Sequence, residues 1–483
     1  MRIEFQGWTF LVRPFFDAAG PVRRLRLGLR GHTMQSGNAG GSQAMTIRDR
    51  QGEELTGASP RAAELFDLAI SRFAHFCGDP VEPLREALAD SPDFSMALIA
   101  KAWIYAMSTE PQATALARRM VDDLAGMPKG PREESHLEAL QTASLTEWTL
   151  AARALDLHNA AYPRDLIGLL AGHQVDFLTA NARNLRDRIS RALPAWDGVP
   201  GRSHLLGMLA FGLEEMGDYH RAEAAGMKAL EADPDDSWAH HAVAHVLEMQ
   251  GRAAEGRDFM RRRRAHWAQP ENFLKVHNWW HLALCHLELG EPDAALALYD
   301  EEVRSEASTV AQNLVDASAL LWRLHILGID VGDRWDELAD TWTQHADGKC
   351  YPFNDVHAAL AYIGAGRRSE ATDLLKIARS GSERSEMNRW MRDTGAPIID
   401  GLLAHDSGDF EAAIDPLLWA RQIAGTFGGS HAQRDVIDWT LTDAAIRGKV
   451  TPLARALVLE RLALRPESRV NIAFARRAGL RAQ

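Results

Sequence analysis

Two stretches of this chain concentrate imidazoles at helical spacing. In "SWAHHAVAHVLEMQ" (237–250), His241, His245 and Glu248 stand at i, i+4 and i+7; in "VHNWWHLALCHLEL" (276–289), His277 and His281 are one helical turn apart. On a helix such residues share one face. Four imidazoles and a carboxylate converging from neighbouring helices suit three uses. They can hydrogen-bond across the helices, recognise a small polar ligand or a peptide terminus, or hold a divalent metal and move protons near neutral pH. HxxxH has the right geometry for a transition metal, although neither HExxH nor a cysteine set accompanies it. His241, His245, His277 and His281 are the metal candidates.

Two further segments carry polar side chains of the same kind. "YPFNDVHAALAYIGAG" offers Asn354, Asp355 and His357. In "GGSHAQRDVIDWTL", Gly428 and Gly429 break the chain, Ser430 suits an N-cap, and His431, Gln433, Arg434 and Asp435 fill the first turn of the helix that follows. A helix start presents free N–H groups and a positive dipole end, which suit a carboxylate or phosphate. Trp238, Trp279 and Trp280 border the histidines and could wall an apolar or cationic ligand portion.

The elements that position these residues follow from an internal repeat. Taking Ser203 as position 1 of "SHLLGMLAFGLEEMGDYHRAEAAGMKALEADPDD" places Leu206 at 4, Leu209 at 7, Ala210 at 8, Gly217 at 15, Ala222 at 20, Ala229 at 27 and Pro234 at 32. This is the tetratricopeptide pattern. Small residues let two antiparallel helices approach, glycine supports the turn, and proline ends the second helix. The turn glycine recurs at Gly251, Gly290, Gly328, Gly366, Gly408 and Gly448, at intervals of 34 to 42 residues. One such unit cannot bury its own apolar face, so neighbours must stack.

Phase then selects side chains. First-helix positions 2, 5, 6, 9 and 12 point to the concave wall, and 4, 7, 8 and 11 pack. His241, His245, Glu248, His277, His281, Trp238, Trp280 and His357 take concave positions, whereas His240, His286 and Trp279 take packing ones. The expected fold is all-α, a tetratricopeptide-like helical-hairpin solenoid wound as a right-handed superhelix. Residues 45–200 read as degenerate repeats, 201–470 as the regular array and 471–483 as a tail. No segment sustains period-two alternation, so no sheet is expected.

Composition fits. The 483 residues are 46% hydrophobic and 25% charged, ordinary for a globular protein. The net charge of −12 argues against a general nucleic-acid binder, and the run Arg261 to Arg264 reads as the solvated end of a helix. No apolar stretch is long enough to span a bilayer. Cys77, Cys285 and Cys350 form no pair motif, which suits a reducing, cytoplasmic setting. Residues 1–44 are arginine-rich with a Gly/Ser stretch, and read as disordered or as a non-native extension preceding Met45.

The strings "ALPAWDGVPG", "LGMLAFGLEEMGDYHRAE", "SWAHHAVAHVLEMQGR", "NFLKVHNWWHLALCHLELGE", "DASALLWRLHILGIDVGDRW", "FNDVHAALAYIGAGR" and "GGSHAQRDV" resemble the tetratricopeptide repeat protein 38 family, bacterial members included. The resemblance spans about residues 190–440 and weakens back to Asp49. It implies an all-helical repeat fold and no settled activity. Two function classes therefore stand side by side. One is a groove that binds a polar small molecule, a protein or a peptide end; the other is an enzyme using the same histidines with a divalent metal or as acid–base groups.

Overall fold

The computed structural model describes residues 2–5, 8–11, 46–382 and 384–480. Its contacts separate residues 1–45 from residues 46–483. In the first unit Arg2–Phe5 pairs antiparallel with Trp8–Leu11. No sheet is expected from the sequence; a four-residue strand is too short for alternation to be read against chance. The expectation of disorder or a non-native extension over 1–44 otherwise falls outside the described residues.

The second unit is all-α. Helices follow one another as hairpins: Arg202–Glu215 with Tyr219–Ala232, Ser237–Met249 with Ala253–Arg262, and Ala311–Ile326 with Arg334–Trp342. Lys275–Glu288, Pro352–Gly364 and His431–Arg447 are first helices of the same kind. The fainter region is hairpins too, among them Ser95–Ala106 with Pro111–Leu124 and Leu166–Leu178 with Ala182–Ala192. Local chemistry sets the helix starts. Asp165, Asp236, Ser430 and Ser468 accept a first-turn N–H through their side chains, and Pro111, Pro131, Pro292 and Pro352 stand where a missing N–H costs nothing.

Gly217, Gly251, Gly290, Gly328, Gly366 and Gly408 all turn the chain at φ between 71° and 78°. Gly448 does not: it keeps helical φ, and Lys449 takes the left-handed position at 57°. The sequence around that glycine already departs from its siblings.

First helices form an inner layer, and in Ser237–Met249 and Lys275–Glu288 nearly every residue is buried. Such all-round burial needs cover on a second side. The C-terminal helices supply it: His431–Arg447 packs on Ser237–Met249 and Ala311–Ile326, and Arg469–Arg477 packs on Lys275–Glu288. The concave wall is thus an interior. No helix among the described residues is long and apolar enough to cross a membrane.

Close helix approach yields a direct test. A Cβ on Gly212 would lie 2.5 Å from the backbone at Leu185–Arg186, whereas one on Gly425 would meet nothing within 4 Å. Gly212→Ala should destabilise the chain by about 2 kcal/mol, the usual cost of overpacking, and Gly425→Ala should be near neutral, as read by chemical denaturation.

Candidate metal centre

The two imidazole-bearing helices are fixed before they meet. Asp236 Oδ1 accepts from Ala239 N at 2.9 Å and starts one; Asn272 Oδ1 accepts from Leu274 N at 2.9 Å and leads into the other. Packed side by side, they bring His241, His245, His277 and His281 together, with ring centroids between neighbours 4.4 to 5.1 Å apart. One ring nitrogen from each lies within 4.8 Å of the other three, and all four side chains are buried.

Carboxylates behind the rings fix their protons. His277 Nδ1–H donates to both oxygens of Asp316 at 2.9 Å, and His281 Nδ1–H donates to Glu248 Oε2 at 3.0 Å. Each proton held on Nδ1 leaves a lone pair on Nε2. His277 Nε2 then accepts from His241 Nε2–H at 3.1 Å, while His281 Nε2, His241 Nδ1 and both nitrogens of His245 have no hydrogen-bond partner. Buried nitrogens left this way are costly. A carboxylate behind an imidazole whose far nitrogen faces a shared centre is the usual support of a metal-bound histidine.

Burial, reinforced by the neighbouring imidazoles, holds His241 and His245 well below the usual imidazole range, and burial with His277 and Arg323 does the same to His281. Neutral imidazoles are the metal-binding form. Burial lifts Glu248 to about 7 against the pull of Arg465 and Arg323, and lifts Asp316 above its ordinary value. Aromatic side chains complete the wall: Trp280 stacks on His277 at 5.3 Å, Phe211 on His241 at 5.3 Å, and Arg323 lies 5.5 Å over Trp280.

Phase sorts the remaining tryptophans and histidines as expected. Trp238 touches His241 at 4.7 Å, while Trp279 packs on Trp267. His240 bonds to the Asp236 carbonyl and accepts from Arg263, and His286 bonds to Glu291, so both stay outside the cluster.

Other expectations need correction. The concave residues do not face an open groove: they are buried, and helices His431–Arg447 and Arg469–Arg477 pack on the inner layer. Asn354 donates to the Thr109 carbonyl and hydroxyl, and Asp355 accepts from Gly348 N; these bonds tie down helix Pro352–Gly364 and belong to no site with the four imidazoles. His357 is buried with its Nδ1 on the Phe353 carbonyl.

The helix start at Ser430 takes an anion, but the anion is the protein's own. Glu215 Oε1 accepts from His431 N at 3.0 Å, and Glu215 Oε2 meets Arg434 at 3.3 Å. Gln433 closes a capping box with Ser430, and Asp435 pairs with Arg461 and Arg465 at 2.7 and 2.8 Å. Those arginines hold Asp435 far below the carboxylate range in spite of its burial.

Sequence reasoning missed Asp316, Arg323, Glu214 and Glu215. Glu214 had a signal, since it stands at position 12 of its repeat, as Glu248 does in the next. Asp316 had none: with Gly328 at position 15 it stands at position 3 of its repeat, outside the concave set.

The comparisons with known proteins agree with the repeat. Residues 204–236 match a family model described as a tetratricopeptide repeat. The chain carries a tetratricopeptide repeat, and the fold is an all-α, tetratricopeptide-like solenoid. Among solved structures, similar chains include human IFIT1 with PPP-AAAA (13% identity, 86% of this chain and 94% of that one, TM-score 0.38). The anaphase-promoting-complex assembly Cut9–Hcn1 matches at 12% identity over 87% of this chain and 90% of that one, with TM-score 0.33. The apo quorum sensor NprR from B. thuringiensis matches at 13% over 76% and 97%, with TM-score 0.35. At these values they bear on nothing at the site.

His357 gives a pH test. Burial and Arg323 lower its imidazole to about 4 despite the Phe353 carbonyl. Between that value and the unfolded value near 6.5 the unfolded chain binds the extra proton, so this contribution is complete above 6.5 and is lost as pH falls. From pH 7 to 5 the wild type should lose about 2 kcal/mol more stability than His357→Gln, measured by denaturant titration at both values.

Proposed function

We propose that this protein is a metal-binding tetratricopeptide-like solenoid in which His241, His245, His277 and His281 hold a divalent transition-metal ion inside the repeat array. The observation that carries this reading is that four buried imidazoles each bring one ring nitrogen within 4.8 Å of the others, three of them with partnerless nitrogens, while Asp316 and Glu248 hold the Nδ1 protons of two rings. Imidazole donors suit zinc, iron, copper or nickel, and the set is poor for magnesium or calcium, which want oxygen. Because the residues come from two successive repeats, an ion here would also bind those repeats to each other, adding ligand-linked stability.

Burial counts against the other use of these histidines. A peptide end or small polar ligand needs an open wall, and each of the four histidines is at most 5% exposed. Protein partners would meet the outer surface instead. The strings that resemble the tetratricopeptide repeat protein 38 family include both histidine helices, which supports placing the chain with that family. The three cysteines are unpaired, which supports a reducing, cytoplasmic setting.

Elemental analysis of protein expressed with zinc, iron and copper supplied tests the reading. Retention of a transition metal at a whole-number ratio is expected, with loss in His281→Ala while far-UV circular dichroism stays helical. Asp316→Asn should weaken affinity by about 10- to 100-fold, as outer-carboxylate changes do. A wild-type chain that stays metal-free after incubation with each ion overturns the proposal.

A further inference from the structure

The four imidazoles do not use every unsatisfied group in this interior. Glu214, on helix Arg202–Glu215, is fully buried, and neither of its carboxylate oxygens has a hydrogen-bond partner. Its Oε2 lies 3.6 Å from His245 Nδ1, which is also unpartnered. Glu215 stands beside it, and donor atoms of Glu214, Glu215 and His245 all fall within 4.8 Å of one another. Across the same space, His431 Nδ1 lies 3.6 Å from Glu215 Oε1 and likewise lacks a bond. Cation supply is uneven here. Arg434 pairs with Glu215 at 3.3 Å, and no arginine or lysine forms an ion pair with Glu214 among the described residues.

We infer that Glu214, Glu215 and His245 form a second cation position, next to the four-imidazole centre and sharing His245 with it. With Nδ1 toward Glu214, Nε2 remains for the other imidazoles, and the ring bridges two ions as the imidazolate, its one N–H proton leaving to water when the second ion binds. His431 stands on the outer side of this position. Its side chain is 38% exposed, against 3% or less for Glu215, Glu214 and His245, so it marks the side nearest solvent. Mixed carboxylate and imidazole donors suit zinc, manganese, iron or cobalt. A charged Glu214 with no counter-charge would be costly in this interior, and a second cation removes that cost.

This inference rests on the four-imidazole reading, and cobalt(II) separates the two. Metal-free wild type, Glu214→Gln and His281→Ala are each titrated with cobalt(II), and bound metal is counted after gel filtration. Glu214→Gln keeps the side-chain volume, and circular dichroism checks its fold. The expected result is two equivalents in the wild type and one in Glu214→Gln, with the electron paramagnetic resonance of the doubly loaded wild type weaker than twice that of the singly loaded protein, because a shared imidazole couples the ions. Two equivalents in Glu214→Gln overturn the second position. One equivalent in both wild type and Glu214→Gln, lost in His281→Ala, also overturns it but leaves the four-imidazole centre standing. No cobalt in the wild type overturns both.

Discussion

Helix His431–Arg447 lies against the inner layer of the solenoid, and the state of the whole interior depends on that contact. An uncovered tetratricopeptide-like wall would leave the imidazoles of Ser237–Met249 and Lys275–Glu288 in water, free to titrate and to exchange partners. Covered, the same side chains lie at low dielectric, where charged forms are disfavoured and each unpaired nitrogen is costly. The contact is anchored by charge as well as by apolar burial. Glu215 caps the helix start and meets Arg434, while Arg323 donates to the Ala432 carbonyl at 2.7 Å from the facing repeat.

A second polar network braces the far side of the cover. Asp435 receives Arg461 and Arg465, Arg465 also reaches Glu288 at 3.6 Å, and Arg461 is bonded to Asn471. Each member of this network has a partner, which is what makes a buried ionic group tolerable. The contrast with the histidine centre is chemical. Around Asp435 charges and hydrogen bonds are matched within the protein; around His245 and Glu214 they are not, and the unmatched atoms are good metal donors.

Much of the fold could be read along the chain. Glycine periodicity located the turns, and six of the seven turn glycines adopt the left-handed conformation that only glycine takes freely. Repeat phase separated His241, His245, His277 and His281 from His240 and His286, because a helical period fixes direction relative to the packing face. The same phase could have found Glu214. Asp355 was expected at the site, although the repeat phase puts it at packing position 4, and its bond to Gly348 N holds a loop instead. The hairpins before residue 200 were faint because their turns lack the regular glycine; Thr109, Thr146 and Ala180 take the left-handed positions there.

Sequence by itself thus determined the all-helical repeat and the shared face of the four imidazoles, since both follow from local periodicity and from residue types acting over one or two turns. Only tertiary structure decided that this face is an interior. The cover comes from helices about 150 to 200 residues further along the chain, and no local pattern encodes which concave wall they fill. It also decided which polar residues are satisfied. Glu215 meets the helix start at Ser430, Asp316 meets His277, and Glu214 meets only His245 and its neighbours. Such pairings depend on how successive hairpins are stacked and closed, a property of the whole array and not of any one repeat.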